Sequence, residues 1–194
     1  SLARRSAQNA LYHITHSLVR LMAPILSFTA EEAWEVLSGD QNASVFVDEW
    51  HKFPELENKE PFSEWDQYGN LLGVWASIRA IRNNVNKQLE EARTAGLIGS
   101  ALTAEVDVYA AGQDYDVLAR LGDDLRFVFI TSRATVHRVA TEAEQHIDVS
   151  ASLHDKCERC WHYREDVGSN ADHPIICGRC VSNLFDSGEA RRYA

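Results

Sequence analysis

Along the first stretch of the chain, Leu11, Ile14, Leu18, Leu21 and Ile25 recur at alternating steps of three and four. That 3.6-residue period predicts a helix with these side chains on one buried face. Pro24 stands near its end, where the missing backbone donor kinks or stops the helix. A second helix is expected from Thr29, which precedes Glu32 by three residues as a capping box, with Phe28 placed to staple across the turn. Ala33, Trp34 and Leu37 face inward, and Gly39 supplies a left-handed stop. Residues 40–62 lose the period: Val45–Val47 reads as a short extended run, and Pro54 and Pro61 punctuate the rest. Leu71, Trp75, Ile78, Val85, Leu89 and Ala92 then form the seam of the longest helix, ended by Gly96 and Gly99. Two or three packed helices make a bundle fragment.

Beyond Gly99 the period shortens to two. Val106 and Val108 alternate with Glu105 and Asp107, as in a half-buried strand. A short helix is expected over 114–121, stopped by Gly122, and Thr135–Val139 and Ile147–Ala151 alternate again. The apolar run Leu125–Ile130 fits strand or helix equally. The fold class is therefore multidomain, mainly α with a small α/β part. The expected divisions are a helical-bundle fragment over 1–97, a small α/β junction domain over 98–152 and a cysteine-rich module over 153–194. An α/β unit of that size is marginal alone and needs its neighbours.

Composition narrows the class. With 194 residues, 45% of them hydrophobic, the chain can build a buried core. It has no apolar run long enough for a membrane span. Arg4 and Arg5 precede an apolar stretch, but His13, His16 and Arg20 interrupt it, which excludes a secretion signal. The triplet Asn42-Ala43-Ser44 matches a glycosylation acceptor by chance, since nothing else points to secretion. The first residue is Ser1 rather than Met, as expected of a piece of something longer. A net charge of −10 excludes a surface that coats nucleic acid indiscriminately. From Asp155 onward, however, 6 Lys and Arg face 7 Asp and Glu, so the last part of the chain can present a local basic face.

All four cysteines lie in that part, as Cys157-x-x-Cys160 and Cys177-x-x-Cys180 with 16 residues between the pairs. Two Cys-x-x-Cys turns each offer two thiolates from one side, which is what tetrahedral zinc requires. Gly178 after the first ligand of the second pair lets the backbone turn without a clash, and Gly168 and Asn170 mark a hairpin between the pairs. Two disulfides would close strained small rings and need an oxidising compartment. A redox pair would not need a matching second pair. Four thiolates leave no open position for water, so one Zn2+ here is structural, and His162 reads as packing rather than as a ligand.

No catalytic constellation emerges. Phosphate-cradling, dinucleotide-binding and nucleophile-elbow motifs are missing, and the adjacent pairs Glu31-Glu32, Glu90-Glu91 and Asp123-Asp124 read as helix-start or solvent charge. Polar donors are better placed. Arg79, Asn83, Asn86 and Arg93 share one stripe of the longest helix, flanked by Arg82 and Lys87. Donors of this kind read single-stranded RNA loops, and a solvated helix face is the alternative. Around the cysteines stand Arg159, Trp161, Tyr163, Arg164 and Arg179; Trp161 either stacks on a base or packs under the metal loops, and packing is the expectation.

The run Met22-Ala23-Pro24-Ile25-Leu26-Ser27-Phe28-Thr29-Ala30-Glu31-Glu32-Ala33-Trp34 resembles the helix entry of the anticodon-binding bundle in class I synthetases for isoleucine, leucine and valine. Arg82-x-x-Val85-Asn86-Lys87, followed by Ile98-Gly99-Ser100-Ala101-Leu102, looks like the same bundle passing into its α/β extension. Leu125-Arg126-Phe127-Val128, the segment from Lys156 to Tyr163, and Cys177-Gly178-Arg179-Cys180-Val181-Ser182-Asn183 are similar to the C-terminal end of bacterial isoleucyl-tRNA synthetases. His13-Ile14-Thr15-His16 superficially resembles their nucleotide-binding signature, but Thr15 stands where that signature has glycine and Ile14 belongs to the apolar face, so it is a decoy.

The resemblance covers essentially the whole chain. It implies a cytoplasmic, monomeric parent that charges isoleucine tRNA with isoleucine using ATP, and a fragment that holds the anticodon arm. The catalytic and editing domains would lie N-terminal to this region, leaving the fragment inactive by itself. The same cysteine spacing also resembles the finger of formamidopyrimidine-DNA glycosylases, whose N-terminal proline and following glutamate have no counterpart at Ser1-Leu2. A zinc-stapled protein-interaction module is the third reading.

Overall fold

The computed structural model describes residues 2–54 and 71–189. The punctuation expected at Pro61, with the rest of 55–62, lies outside them. The chain divides into two compact units, one within Ser1–Glu55 and one within Leu56–Glu189.

In the first unit, helix α1 (Leu2–Met22) stops just before Pro24, and helix α2 (Ser27–Ser38) ends on Gly39 at φ 70°, in the expected left-handed cap. Its start differs from expectation. Leu26 occupies the cap position with no side-chain hydrogen bond, and Phe28 is exposed rather than stapled. The buried face of α1 differs too. Leu11, Ile14, Leu18, Leu21 and Ile25 all lie exposed, while Val19 and Ala23 are buried against Ala30, Trp34 and Val45. Trp34 packs on the polar flank instead: its indole takes the Arg20 guanidinium at 4.4 Å and the His16 ring at 5.6 Å, which holds that flank of α1 against α2. Small Ala23 and Ala30 complete the packing. Val45–Val47 forms a turn of 3-10 helix instead of an extended run, because Ser44 Oγ accepts from Phe46 N and caps it.

The 48–53 segment is tied back onto α1 by polar groups. Arg20 donates to the Asp48 carboxylate at 2.6 Å and to the Glu49 carbonyl at 2.7 Å. Arg20 Nη1 also lies 3.1 Å from His16 Nδ1, and His13 Nδ1 lies 2.9 Å from His51 Nε2. A guanidinium only donates, so His16 Nδ1 is an unprotonated acceptor.

The second unit is built on helix α3 (Leu71–Thr94), whose buried positions Leu71, Val74, Ile78, Val85, Leu89 and Ala92 follow the predicted seam, with Val74 taking the place expected for half-buried Trp75. Gly96 at φ 73° closes it. Strand β1 (Ala104–Ala110) alternates buried and half-buried residues. It is followed by α4 (Gly112–Leu121), α5 (Leu125–Phe129), β2 (Arg133–Arg138) and β3 (His146–Ala151). The ambiguous run Leu125–Ile130 is thus helical, ending at Ile130 in the left-handed region. The sheet order is β2-β1-β3, with β2 parallel and β3 antiparallel to β1. A parallel neighbour requires a crossover, and α4 and α5 provide it.

One core joins α3 to the sheet. Val74, Ile78, Val85 and Leu89 pack with Val106 and Val108 of β1 and with Val117, Leu118, Leu121, Leu125 and Phe129 of the crossover helices. Each such side chain contributes about 1.5–3 kcal/mol on burial. The opposite sheet face is polar: Arg133 bridges Glu105 at 2.6 Å and Asp107 at 3.2 Å. The chain then continues into β4 (Asp155–Lys156), β5 (Tyr163–Arg164) and helix α6 (Gly178–Phe185), which frame the cysteines.

The histidine cluster of the first unit makes stability depend on pH. Burial, then Arg20 and His51, hold His16 below its ordinary value; burial, then His13 and Arg20, do the same for His51. Only Asp48 opposes this at His16. The unfolded state therefore takes up more protons below about pH 6.5, so stability is full above that pH and declines as pH falls beneath it. Thermal unfolding between about pH 7.5 and about pH 5.5 should show this decline, with a shallower slope in His51→Gln. Equal slopes for the two proteins would dismiss the cluster as its source.

Candidate metal centre and nucleic-acid face

Two knuckles bring the cysteines together. Cys157 N donates to the His162 carbonyl at 2.9 Å and Trp161 N donates to the Cys157 carbonyl at 2.8 Å, curling the first pair into a tight turn between β4 and β5. The second pair straddles the start of α6, with Cys177 at its N-cap and Cys180 in its first turn. All four sulfurs are free and lie within 4.8 Å of one another. Cys157 and Cys180 Sγ are 3.7 Å apart, and Cys160 and Cys177 Sγ 3.8 Å. A tetrahedron with zinc–sulfur bonds of about 2.3 Å has edges of about 3.8 Å, whereas a disulfide needs about 2.05 Å. The spacing is that of a tetrathiolate zinc site.

Electrostatics agree. Burial opposes ionisation of Cys157, but the backbone N–H groups of Cys160, Cys177 and Arg159 outweigh it and lower its pKa. The hydrogen bond with Cys177 lowers Cys160 and raises Cys177, to which burial adds; burial also raises Cys180. Four thiolates this close are stable together only around a cation. Little else holds the module: besides the cysteines its core is Ile176 and Val181, with Val167 against them. Metal binding worth about 10–16 kcal/mol supplies what that core cannot. His162 is half-buried with Nδ1 at 3.1 Å from the Cys160 carbonyl, as a packed residue should be.

The role of Gly178 is close approach rather than turn freedom. The Asp166 carboxylate accepts from Gly178 N at 3.0 Å and caps α6, and a Cβ at Gly178 would meet that oxygen at 2.9 Å. Gly168, by contrast, needs its φ of 80°.

The module is moored to the α/β unit by residues that periodicity does not reveal. Buried Ser132 donates to the Leu102 carbonyl at 2.5 Å and accepts from Tyr163 N at 2.6 Å, linking three segments through one hydroxyl. The Phe127 ring lies between the guanidinium groups of Arg126, at 4.6 Å, and Arg179, at 4.8 Å. Arg126 is itself buried beside Asp123 at 2.7 Å.

These contacts sort the predicted RNA donors. Arg179 is engaged by Glu189 at 2.7 Å. Arg164 reaches the Ser132 carbonyl at 3.4 Å and lies 3.7 Å from Asp123. Arg159 is solvent-facing, but its Nη1 points at Cys180 Sγ, 3.6 Å away. On α3, Arg79, Asn83 and Lys87 are exposed and Arg82 and Asn86 half-buried, all clear of the core seam. Lys87 meets Glu91 only at 4.0 Å, whereas Arg93, at the end of the stripe, pairs with Glu90 at 3.4 Å. Trp161 departs from the packing expectation. Its indole is 59% exposed, with Lys156 Nζ 5.5 Å from the ring centre. Its backbone sits at φ 66°, a left-handed conformation that is strained for a bulky residue. Sequence reasoning passed over Lys156, whose position beside Trp161 depends on the β4–β5 pairing Lys156↔Tyr163.

Residues 1–108 match the anticodon-binding domain of tRNA ligases, and residues 155–183 match a zinc finger found in FPG and IleRS. The chain belongs to the anticodon-binding domain family of tRNA ligases, and it carries a structural zinc finger. Among curated proteins it is similar to isoleucine–tRNA ligase of Burkholderia ambifaria (strain MC40-6), with 56% identity over 194 residues, 100% of this chain and 20% of that protein. Isoleucine–tRNA ligase of Paraburkholderia xenovorans (strain LB400) is 55% identical over the same shares, and isoleucine–tRNA ligase 1 of Burkholderia mallei (strain ATCC 23344) 54%. The chain spans about a fifth of the length of these relatives.

Cys177→Ser should remove zinc and unfold the cysteine module while leaving most of the helicity of α1, α2 and α3. Elemental analysis with far-ultraviolet circular dichroism checks this; a variant that keeps one zinc per chain would refute Cys177 as a ligand.

Proposed function

We propose that this chain is the part of an isoleucine–tRNA ligase that holds the anticodon arm of isoleucine tRNA. The parent enzyme charges that tRNA with isoleucine using ATP, through catalytic and editing domains elsewhere in the same longer, cytoplasmic and monomeric protein. This part does no chemistry itself. The observation that carries the reading is the unbroken similarity of all 194 residues to isoleucine–tRNA ligases, from the helices through the finger. The match over 1–108 sets the chain apart from FPG, with which the finger match alone is shared.

In this reading Cys157, Cys160, Cys177 and Cys180 bind one structural Zn2+, and the ion acts by fixing Trp161. The strained, exposed indole is a stacking surface for an unstacked base, and Lys156 beside it attracts phosphate. Arg79, Asn83, Asn86 and Lys87, with Arg82 behind them, offer donors from α3. Arg159, Arg164 and Arg179 add positive charge from positions set by their protein contacts. Such a division between stacking platform and backbone-tracking donors is how single-stranded loops are held.

Filter binding tests this directly. Isoleucine tRNA should bind more tightly than an unrelated tRNA or duplex DNA, with a log–log salt slope near −0.7 per phosphate neutralised. Trp161→Ala should weaken binding about tenfold without changing the slope, while Lys87→Ala should make the slope shallower by about 0.7. Equal binding of all three nucleic acids, or none, would overturn the reading.

A further inference from the structure

The four sulfurs differ in what supports them from outside. Cys157 accepts a hydrogen bond from Cys177 N at 3.3 Å, and the nearby N–H groups of Cys160 and Arg159 also favour its thiolate. The N–H groups of His162 and Cys180 favour the thiolates of Cys160 and Cys177 in the same way. These donors belong to the knuckle turns, where N–H groups are not used by regular structure. Cys180 is placed differently. It lies within α6, where the next N–H, that of Val181, is already given to the Cys177 carbonyl at 3.0 Å. Helix geometry thus consumes the donors that a turn would aim at sulfur. The donor that does reach Cys180 Sγ is a side chain, Arg159 Nη1 at 3.6 Å. It comes from the other knuckle, across the cluster.

We propose that Arg159 is a positioning residue of the zinc site, supplying the fourth thiolate with the outer hydrogen bond and positive charge that α6 withholds. The inference rests on the four cysteines being the zinc ligands. Two physical effects follow. A tetrathiolate around one dication carries two excess negative charges, and a guanidinium within hydrogen-bond reach offsets part of that charge. The bond also fixes the Cys180 rotamer and joins the two halves of the finger, since residue 159 lies between the first two ligands and Cys180 is the last. Outer partners of metal ligands are worth about 10–100-fold in affinity. Arg159 is therefore tied first to the metal site, and any contact with nucleic acid uses the face of its guanidinium turned away from sulfur.

The test uses the full chain as wild type, Arg159→Gln and Arg159→Lys, each loaded with zinc and titrated with a chromophoric chelator. Arg159→Gln should give up zinc about 10–100-fold more readily. Arg159→Lys, which keeps the charge but loses the planar fork, should fall between the two. In the cobalt-substituted proteins the sulfur-to-metal charge-transfer band should move to lower energy in Arg159→Gln, because a thiolate that has lost its donor gives up electrons more easily. A purely structural role would not shift that band. Alkylation of the zinc-loaded variant should modify Cys180 first. Equal zinc affinity and an unmoved band across the three proteins would overturn the proposal. Absence of zinc from the wild type would instead overturn the ligand assignment and this inference with it.

Discussion

Four thiolates cannot share a volume this small without a cation between them. Sulfurs 3.7 and 3.8 Å apart repel when ionised, and burial penalises each charge further. With one dication at the centre the same crowding becomes the main stabilising interaction of the cysteine module, where among the described residues Ile176 and Val181, with Val167 against them, join the cysteines in a core. The β4–β5 pair is two residues long on each strand, and α6 has 8 residues, too few to persist without the ion.

The module is fixed to the α/β unit by means other than a hydrophobic seam. Ser132 exchanges hydrogen bonds with Leu102 and Tyr163. Phe127 accepts two guanidinium groups, and Asp123, Asp166 and Glu189 balance the arginines around it. Of these groups Ser132 and Arg126 are buried, and buried polar contacts are costly when one partner is missing, so they favour one orientation over others. Several arginines that composition would offer to a nucleic acid are thereby committed to architecture. An acidic chain of net charge −10 with its cations used selectively is poorly suited to general adhesion to nucleic acid.

In the first unit a different balance operates. Trp34 packs on the flank of α1 that carries Arg20 and His16, rather than on the face marked by Leu11, Ile14, Leu18, Leu21 and Ile25. The segment carrying Asp48 and His51 is held by Arg20, which donates to Asp48 and to the Glu49 carbonyl, and by the His13–His51 contact.

Much of this was legible in the amino-acid order. The helix seam from Leu71 to Ala92, the alternation of β1 and the cysteine spacing depend on short-range periodicity or on ligand chemistry, and each appears in the structure as expected. A left-handed stop at Gly39 follows equally from local backbone sterics. What the order of residues could not decide were choices among partners distant in the chain. Periodicity identifies a face of α1 but cannot say that Trp34 will prefer the flank bearing His16 and Arg20. Composition counts arginines but cannot tell that Glu189 holds Arg179, that Ser132 receives Arg164, or that Cys180 takes Arg159. Gly178 was expected to ease a backbone turn and proved to be room for a carboxylate twelve residues earlier. Local patterns set the elements because their energetics are local; tertiary contacts assigned the roles because a charge or a ring acts on whatever the fold brings within a few ångströms of it.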